Sequence, residues 1–536
     1  MKYSVFLLLI LLFRISAFGQ SFEVSWQQCF GGSEQDHAYD IVNIPDGFFI
    51  VGSTESNDGD VSFNNGIIDG WLIRTDNAGN IIWEKTYGGS SGDGFRRIFP
   101  DNSGNYILVG GSGSSDGDIS NDPYPDSEDF WIVKIDIDGN IIWDKIVGGS
   151  YGDIIWNGSP TLDGGVVAVG WTYSNDGDVS VHYGGADTWA VKISSEGELE
   201  WDFTIGTDWI DKGQAILATS DGGYLIGSNS IILEGGVGNI TCTPHTYGWV
   251  EGVIFKLDSN LNVQWQRCYG GSDHDGIFGI IEIEDGYVFT GGTASNDGDV
   301  SGFHGENDIW IVKTDFFGNI IWQKCLGGSR SEYASISFKT NEDHLIVVGS
   351  TRSNNGDVSG NHSSSEYDHD IWLASLNSDG ELLTQKCFGG VGDETVEFGV
   401  VKKSDNNFVI AGQTDYGPSY DVGCTPHGGN GDEDYWVFDI QDTLTSILAS
   451  LEFTGGVKVY PNPASEYVCF EITGSGDAKM QEVKIFNGLG MPVKDLLLYK
   501  TGGKIIWDVR GVAKGVYFYQ ITNNGNYLES GKIVVN

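Results

Sequence analysis

Long apolar runs are missing from this sequence. The longest, Val5 to Phe13, stops well short of the ~20 residues that a membrane-spanning helix needs, so no segment is expected to anchor the chain through a bilayer. Basic residues are scarce too: 29 Lys and Arg stand against 75 Asp and Glu, for a formal charge of −46. A surface of that sign repels phosphate backbones and anionic lipid and attracts cations and basic ligands, which argues against nucleic acid as a partner. Proline (11) and methionine (3) are few beside 79 glycines and 12% aromatic residues, a mixture in which turns and aromatic-rich strands dominate over helix. The zinc-protease, P-loop and dinucleotide fingerprints are absent. Gly88-Gly89-Ser90-Ser91-Gly92 and Gly148-Gly149-Ser150-Tyr151-Gly152 match the hydrolase nucleophile elbow in letters only, because they read as links from strand to strand rather than from strand to helix.

What is present begins with an export signal. Lys2, the apolar run and the small-x-small triplet Ala17-Phe18-Gly19 form a secretory leader, so the mature chain is expected to start at Gln20. No cysteine sits at that junction, which argues against an N-terminal lipid anchor.

From there one phrase recurs. Trp26, Trp83, Trp143, Trp201, Trp265 and Trp322, with Thr384 in the seventh place, open segments such as Trp26-Gln27-Gln28-Cys29-Phe30-Gly31-Gly32 at intervals of 57 to 64 residues. Each interval holds four strand signals, two tight hairpin turns and one long polar loop between the second and third strands, the pattern of a propeller repeat. The segment Phe22 to Phe30 reads as a fourth strand without its first three, and the last repeat stops after its third. The N-terminal strand is therefore expected to complete the last repeat and close a seven-bladed β-propeller over 20–440. In that phase the long loops and the Gly-Gly turns share one face.

After a linker at 441–454 the pattern changes. Tyr460-Pro461-Asn462-Pro463 opens a run of short strands that continues through Gly490, Gly515 and Tyr517 to Lys532 in the closing Gly531-Lys532-Ile533-Val534-Val535. Residues 455–536 resemble the C-terminal sorting domain of the type IX secretion system of Bacteroidota. The resemblance implies a small Ig-like β-sandwich read by the type IX machinery, with the cargo released or attached at the cell surface after export through the periplasm. Short alternating strands between glycine-containing turns support a small sandwich independently.

Several residue families are candidates for chemistry. An acid follows each Gly-Gly pair, or Gly206-Thr207 in the fourth repeat, by four positions: Asp36, Asp93, Asp153, Asp211, Asp275, Glu332 and Glu394. A ring of them at the channel mouth would carry about 0.6 kcal/mol of repulsion per neighbouring pair at ~7 Å in water. They read either as caps on their own turns or as a cation-attracting mouth. The loop phrase Ser-x-Asp-Gly-Asp places Asp58 and Asp60, Asp116 and Asp118, Asp176 and Asp178, and Asp297 and Asp299 as oxygen ligands suited to Ca²⁺, or as self-satisfied Asx turns. His182, His245, His304, His362 and His427 fall late in these loops and join the acids as candidates for a ligand-binding face. Two Cys-Thr-Pro-His phrases, at Cys242 and Cys424, suggest zinc only weakly, since one thiol and one imidazole do not fill a tetrahedral site. Cys29, Cys268, Cys325 and Cys387 share one register in different repeats, too far apart to pair, and the total of seven is odd, so disulfides are expected to be few or absent. One Trp per third strand, as at Trp71, reads as packing between sheets.

The expected function is that of an exported binding protein for a glycan, protein or cation, because the chemistry-bearing residues recur repeat after repeat and no singular catalytic group stands out. A polysaccharide-degrading enzyme using mouth carboxylates, and a structural or adhesive surface component, remain open alternatives. The fourth repeat, with Trp209, Asp211 and the inserted loop Ile231 to Tyr247, is where broken symmetry would make a unique pocket.

Overall fold

The computed structural model describes residues 22–340, 344–363, 365–404, 407–429, 431–442, 456–473, 481–487, 492–498, 503–523 and 526–536. The expected leader at 1–19, nearly all of the expected linker at 441–454, and Gly490 of the sorting motif lie outside the described residues. The chain divides into two compact units, Met1–Asp442 and Thr443–Asn536. Among the described residues every regular element is a β-strand, and no helix is long and apolar enough to cross a membrane.

In the first unit six antiparallel sheets follow one another, each with four strands in chain order: sheet I spans 36–87, II 93–147, III 153–205, IV 211–269, V 275–326 and VI 332–388. Sheet VII joins residues 394–442 to the N-terminal strand Phe22–Phe30, which pairs antiparallel with Asp434–Asp442 and sets Cys29 opposite Trp436. The beginning and end of the unit are thus hydrogen-bonded into one ladder, as the phase of the repeats requires. The first strand of each sheet packs against the sheet before it, and that of sheet I, Asp36–Ile44, packs against sheet VII. The series is closed and the fold is propeller-like.

Burial follows position in the sheet. Second and third strands such as Gly47–Thr54 and Asp129–Ile135 are covered on both faces and read as near-continuous apolar runs, whereas fourth strands such as Ile81–Tyr87 are half exposed. Two rows of tryptophan hold neighbouring sheets together. Trp71, Trp131, Trp189, Trp310, Trp372 and Trp436 are fully buried, and each indole N–H finds a fourth-strand acceptor, as in Trp71 to Glu84 at 2.8 Å and Trp436 to Gln27 at 3.0 Å. The fourth-strand row reaches the next sheet: Trp26 lies over Gly79 in a hairpin turn of sheet I, where both the positive φ of 80° and the ring allow only glycine. In sheet IV Leu261 takes that place at φ 63° and packs in the cluster that includes Trp201.

Two disulfides form, so of the expected few or none it is few. Cys29 pairs with Cys424 and Cys242 with Cys268. The fourth-strand cysteines do not meet one another; each of these two meets the loop cysteine of its own sheet, because the long loop folds back over the fourth strand. The zinc reading of the Cys-Thr-Pro-His phrases falls with this, since both loop sulfurs are spent. Cys325, Cys387 and Cys469 are buried free thiols.

In the second unit Gly456–Tyr460, Tyr467–Thr473 and Gly503–Asp508 form one sheet, and Pro492–Leu498, Gln481–Asn487, Gly515–Asn523 and Asn526–Val535 another. Val468, Phe470 and Trp507 from the first meet Val483, Ile521 and Ile533 from the second in a common core.

The Cys29–Cys424 bond spans 395 residues and the Cys242–Cys268 bond 26. In the chain-entropy view the longer loop restricts the unfolded chain more, by up to about 5 kcal/mol against roughly 3–4 for the shorter. Cys424→Ser is therefore expected to lower the urea midpoint more than Cys242→Ser, and equal shifts in the two variants would refute the closure role.

Candidate functional site

Each sheet is entered through a turn, Gly-Gly in six sheets and Gly206-Thr207 in sheet IV, whose backbone donors are met by side chains. In sheet I Gly32 N donates to Asp36 at 2.8 Å, Ser33 N to Asp58 at 2.7 Å and Glu34 N to the Ser56 hydroxyl at 3.0 Å, while Asp60 N returns a bond to the Gly31 carbonyl at 2.8 Å. The acid-to-turn bond recurs in all seven sheets, at Asp93, Asp153, Asp211, Asp275, Glu332 and Glu394, with distances of 2.6 to 2.8 Å. All seven acids are at most 3% exposed. They cap their turns beneath the surface, and Asp275 also reaches a cavity wall.

A second acid stands beside each of them. Asp69, Asp129, Asp187, Glu251, Asp308, Asp370 and Asp434, which open the third strands, face the first-strand acid of the following sheet across the first glycine of the turn. A side-chain carbon on Gly31, for example, would collide with both Asp434 and Asp36. Burial pushes these carboxyls up: Asp129 and Glu394 to about 8, and Asp69, Asp211, Asp370 and Asp434 to about 6. The negative neighbour adds to the rise, as Asp153 does for Asp129 and Asp370 for Glu394.

The loop residues join this collar. Asp116, Asp176 and Asp297 accept the N–H of Ser90, Ser150 and Ser272 as Asp58 does that of Ser33, and Gly88 and Gly148 donate to Asp118 and Asp178. Asp299 N bonds the Gly270 carbonyl at 2.8 Å. Among the described residues no group of three or more His, Cys, Asp or Glu is placed to hold a metal ion. The histidines link consecutive sheets: His245, His304, His362 and His427 bond through Nδ1 to the third-strand acids Glu251, Asp308, Asp370 and Asp434 at 2.7 to 3.1 Å. They approach Asp299, Asp357, Asp421 and Asp60 of the following sheet at 3.5 to 3.9 Å. His182 Nε2 lies 3.6 Å from Asp187, and the next loop carries Asn239 in place of the acid. For His245 the bond and charge of Glu251 outweigh burial and raise the imidazole pKa.

The cavity of the first unit is built from other residues. Six first strands shift register against their partners at one position, and the residue extruded there is Tyr39, Arg96, Trp156, Gln214, Phe278 or Ser335. In sheet VII the first strand breaks between Thr395 and Val400, which puts Glu397 at the equivalent place. Bulges re-aim side chains next to functional sites. Here they supply Trp156, Gln214, Phe278, Ser335 and Glu397 to a cavity of about 380 Å³, completed by Tyr333, Ser350 and His369. An adjoining cavity of about 500 Å³ shares Gln214, Phe278 and Tyr333 and adds Lys212, His274 and Asn307. Ile210, Ile231 and Val250 of the divergent fourth repeat line this outer part.

One wall is aromatic and the other charged. Arg96 pairs with Glu397 at 2.9 Å and lies between the rings of Tyr39 and Trp156, at 4.7 and 4.5 Å. Below it Arg97 pairs with Asp40 at 2.9 Å and packs over Phe398. His369 is 7% exposed; its Nδ1 lies 2.7 Å from Asp393, and its Nε2 has no hydrogen-bond partner. An unmet buried polar atom costs on the order of 1–3 kcal/mol. Burial pushes the Asp393 carboxyl up, but the bond and charge of His369 outweigh it and hold the carboxyl below its ordinary value. These residues were not among those expected from the sequence. The signal for them is the first-strand register three places after the turn acid, where seven otherwise similar repeats carry seven different residues.

In the second unit Asn462 pins the Tyr460-Pro461-Asn462-Pro463 turn to the last strand, donating to the Lys532 carbonyl at 2.7 Å and accepting from Val534 N at 2.9 Å. Tyr517 is buried and its hydroxyl donates to the Ala513 carbonyl, while Lys532 and Gly515 are exposed.

Two outcomes follow from the collar. A carboxyl whose folded value is raised stabilises the fold fully below the ordinary carboxylate range and loses that contribution as pH climbs through the raised value. Asp129→Asn is therefore expected to gain stability over the parent as pH rises from about 5 to about 9, and a difference that stays constant with pH would contradict it. Because the loop oxygens are occupied by backbone N–H, adding Ca²⁺ or a chelator is expected to leave the melting temperature unchanged; a Ca²⁺-dependent rise would restore the metal reading.

No curated protein matches the chain in sequence. Among solved structures, a protein of unknown function from Bacteroides caccae is similar at 11% identity over 60% of this chain and 89% of its own, with a TM-score of 0.33. Drosophila Plexin A, solved with Semaphorin 1b, is similar at 7% identity over 79% and 88%, with a TM-score of 0.38. The polysaccharide lyase Uly1 is similar at 9% identity over 77% and 91%, with a TM-score of 0.39. Likeness of this degree bears on neither activity nor ligand. The C-terminal unit is different: residues 458–536 match the family model of the secretion system C-terminal sorting domain, so the chain carries the tail that directs type IX cargo to the cell surface or beyond.

Proposed function

We propose that the chain is a seven-bladed β-propeller, exported by the type IX machinery, that binds a sugar chain in the recess lined by the bulge residues. Its small C-terminal domain is read as an Ig-like sandwich serving as the address. The observation that carries the binding reading is the contrast between registers. Turn acids and packing tryptophans recur from sheet to sheet, while the bulge register carries Tyr39, Arg96, Trp156, Gln214, Phe278, Ser335 and Glu397. A scaffold needs the same residue in each sheet; a site for one asymmetric ligand needs different ones.

The lining favours carbohydrate. Trp156, Phe278 and Tyr333 offer ring faces to the apolar side of a sugar, and Gln214, Ser350 and Asn307 offer hydrogen bonds at its edge. The cavity of about 380 Å³ falls in the range of small-ligand sites, roughly 300–1,000 Å³. The formal charge of −46 disfavours polyanions.

Glycan-array screening of the purified protein, followed by calorimetry, tests this. Trp156→Ala is expected to weaken binding at least tenfold, about 1.4 kcal/mol or more, with the fold intact. Binding untouched by Trp156→Ala would place the ligand elsewhere, and turnover of the bound glycan would replace the binding reading by an enzymatic one.

A further inference from the structure

We infer that His369 is the polar anchor of the recess, oriented by Asp393 so that its Nε2 accepts a hydrogen bond from a hydroxyl of a neutral sugar ring. This rests on the glycan reading above and names the residue and ligand chemistry within it.

Two register positions that vary between repeats meet here. The residue before the third-strand acid is Ile68, Glu128, Ala186, Val250, Asn307, His369 or Glu433, and only in sheet VI is it a histidine. Asp393, just before the turn acid of sheet VII, accepts both His369 N–H and Nδ1–H through the same oxygen, each at 2.7 Å. Asp393 is itself placed by its backbone N–H, which donates to Asp415 at 2.8 Å. His369 is thus held once through its backbone and once through its ring. With Nδ1–H committed to a carboxylate, the neutral ring presents a lone pair at Nε2.

That nitrogen lacks a partner and the ring belongs to the cavity wall. Tyr333 packs edge-on against it, with ring centroids 5.7 Å apart, and is itself exposed. Tyr333, being exposed, has room to move aside for a ligand that reaches for Nε2. An acceptor at this depth selects a donor, which a sugar hydroxyl supplies and a uronate carboxylate does not. Of the guanidinium groups described at this wall, Arg96 is already paired with Glu397 and Arg97 with Asp40.

The test uses the full protein, a panel of neutral oligosaccharides and matched uronate-bearing ones. Neutral members are expected to bind and their uronate counterparts to bind at least about tenfold more weakly. His369→Ala is expected to lose at least about tenfold in affinity for the best neutral ligand, and His369→Gln, which keeps an acceptor, to recover part of it. Asp393→Ala tests positioning: in the parent, imidazole nitrogen NMR is expected to show the Nδ1–H tautomer and a shift of Nε2 on saturation, and in the variant a tautomer mixture with weakened binding. Should His369→Ala fail to fold, the Nε2 signal of the parent decides alone, because saturation without a shift overturns the anchor. Binding lost in Trp156→Ala but unchanged in His369→Ala would overturn the anchor and leave the glycan reading standing. Preference for uronate ligands would overturn the neutral class, and absence of any glycan binding would overturn both.

Discussion

The bond from a buried carboxylate to the N–H of the second turn residue, a glycine in six sheets and Thr207 in sheet IV, is the contact on which the first unit depends. It occurs at the entry to every sheet, from Asp36 on Gly32 to Glu394 on Gly390. It fixes the angle at which the chain leaves one sheet and starts the next. Six of these turns carry two glycines, the space beside the first being filled by carboxylates and that beside the second by the long loop, while sheet IV carries Gly206-Thr207. The cost is a buried acid pair at each junction. Part of that cost is offset by imidazoles in sheets IV to VII, where His245, His304, His362 and His427 lie against the third-strand acid and approach the next loop. Sheets I and II have no histidine there, and Asp129 of sheet II is raised to about 8.

A rigid collar leaves the inner strands free to differ. The bulge in each first strand sits a fixed distance from the turn acid, so the collar also decides where the extruded side chain points. Tyr39, Arg96, Trp156, Gln214, Phe278 and Ser335 therefore converge although their strands are distant in sequence. Sheet VII departs from the rule. Its broken first strand places Phe398 N on the Tyr39 carbonyl at 2.9 Å and sets Glu397 opposite Arg96, which makes the recess one-sided.

Much of the fold was legible because repeats announce themselves. Strand order, the long loop and the role of Phe22–Phe30 follow from the phase of one recurring phrase. The disulfides were not legible. Cys29 and Cys268 share a register with Cys325 and Cys387, and only the path of the loops carrying Cys424 and Cys242 tells the paired from the free. The collar was legible and the recess was not. The acids, loop aspartates and histidines recur as motifs and lie in the collar, while the residues that line the recess form no motif.

By itself the sequence determined the periodicity, the all-β character, the closure of the last sheet by the first strand and the sorting tail, because each is written in local order and spacing. Only the tertiary structure decided which acids are buried, which cysteines pair and which seven residues face one another. Those depend on how far a bulge turns a side chain and on which loop folds over which strand. Distances of that kind are set by packing between sheets some sixty residues apart in the chain, and no local pattern records them.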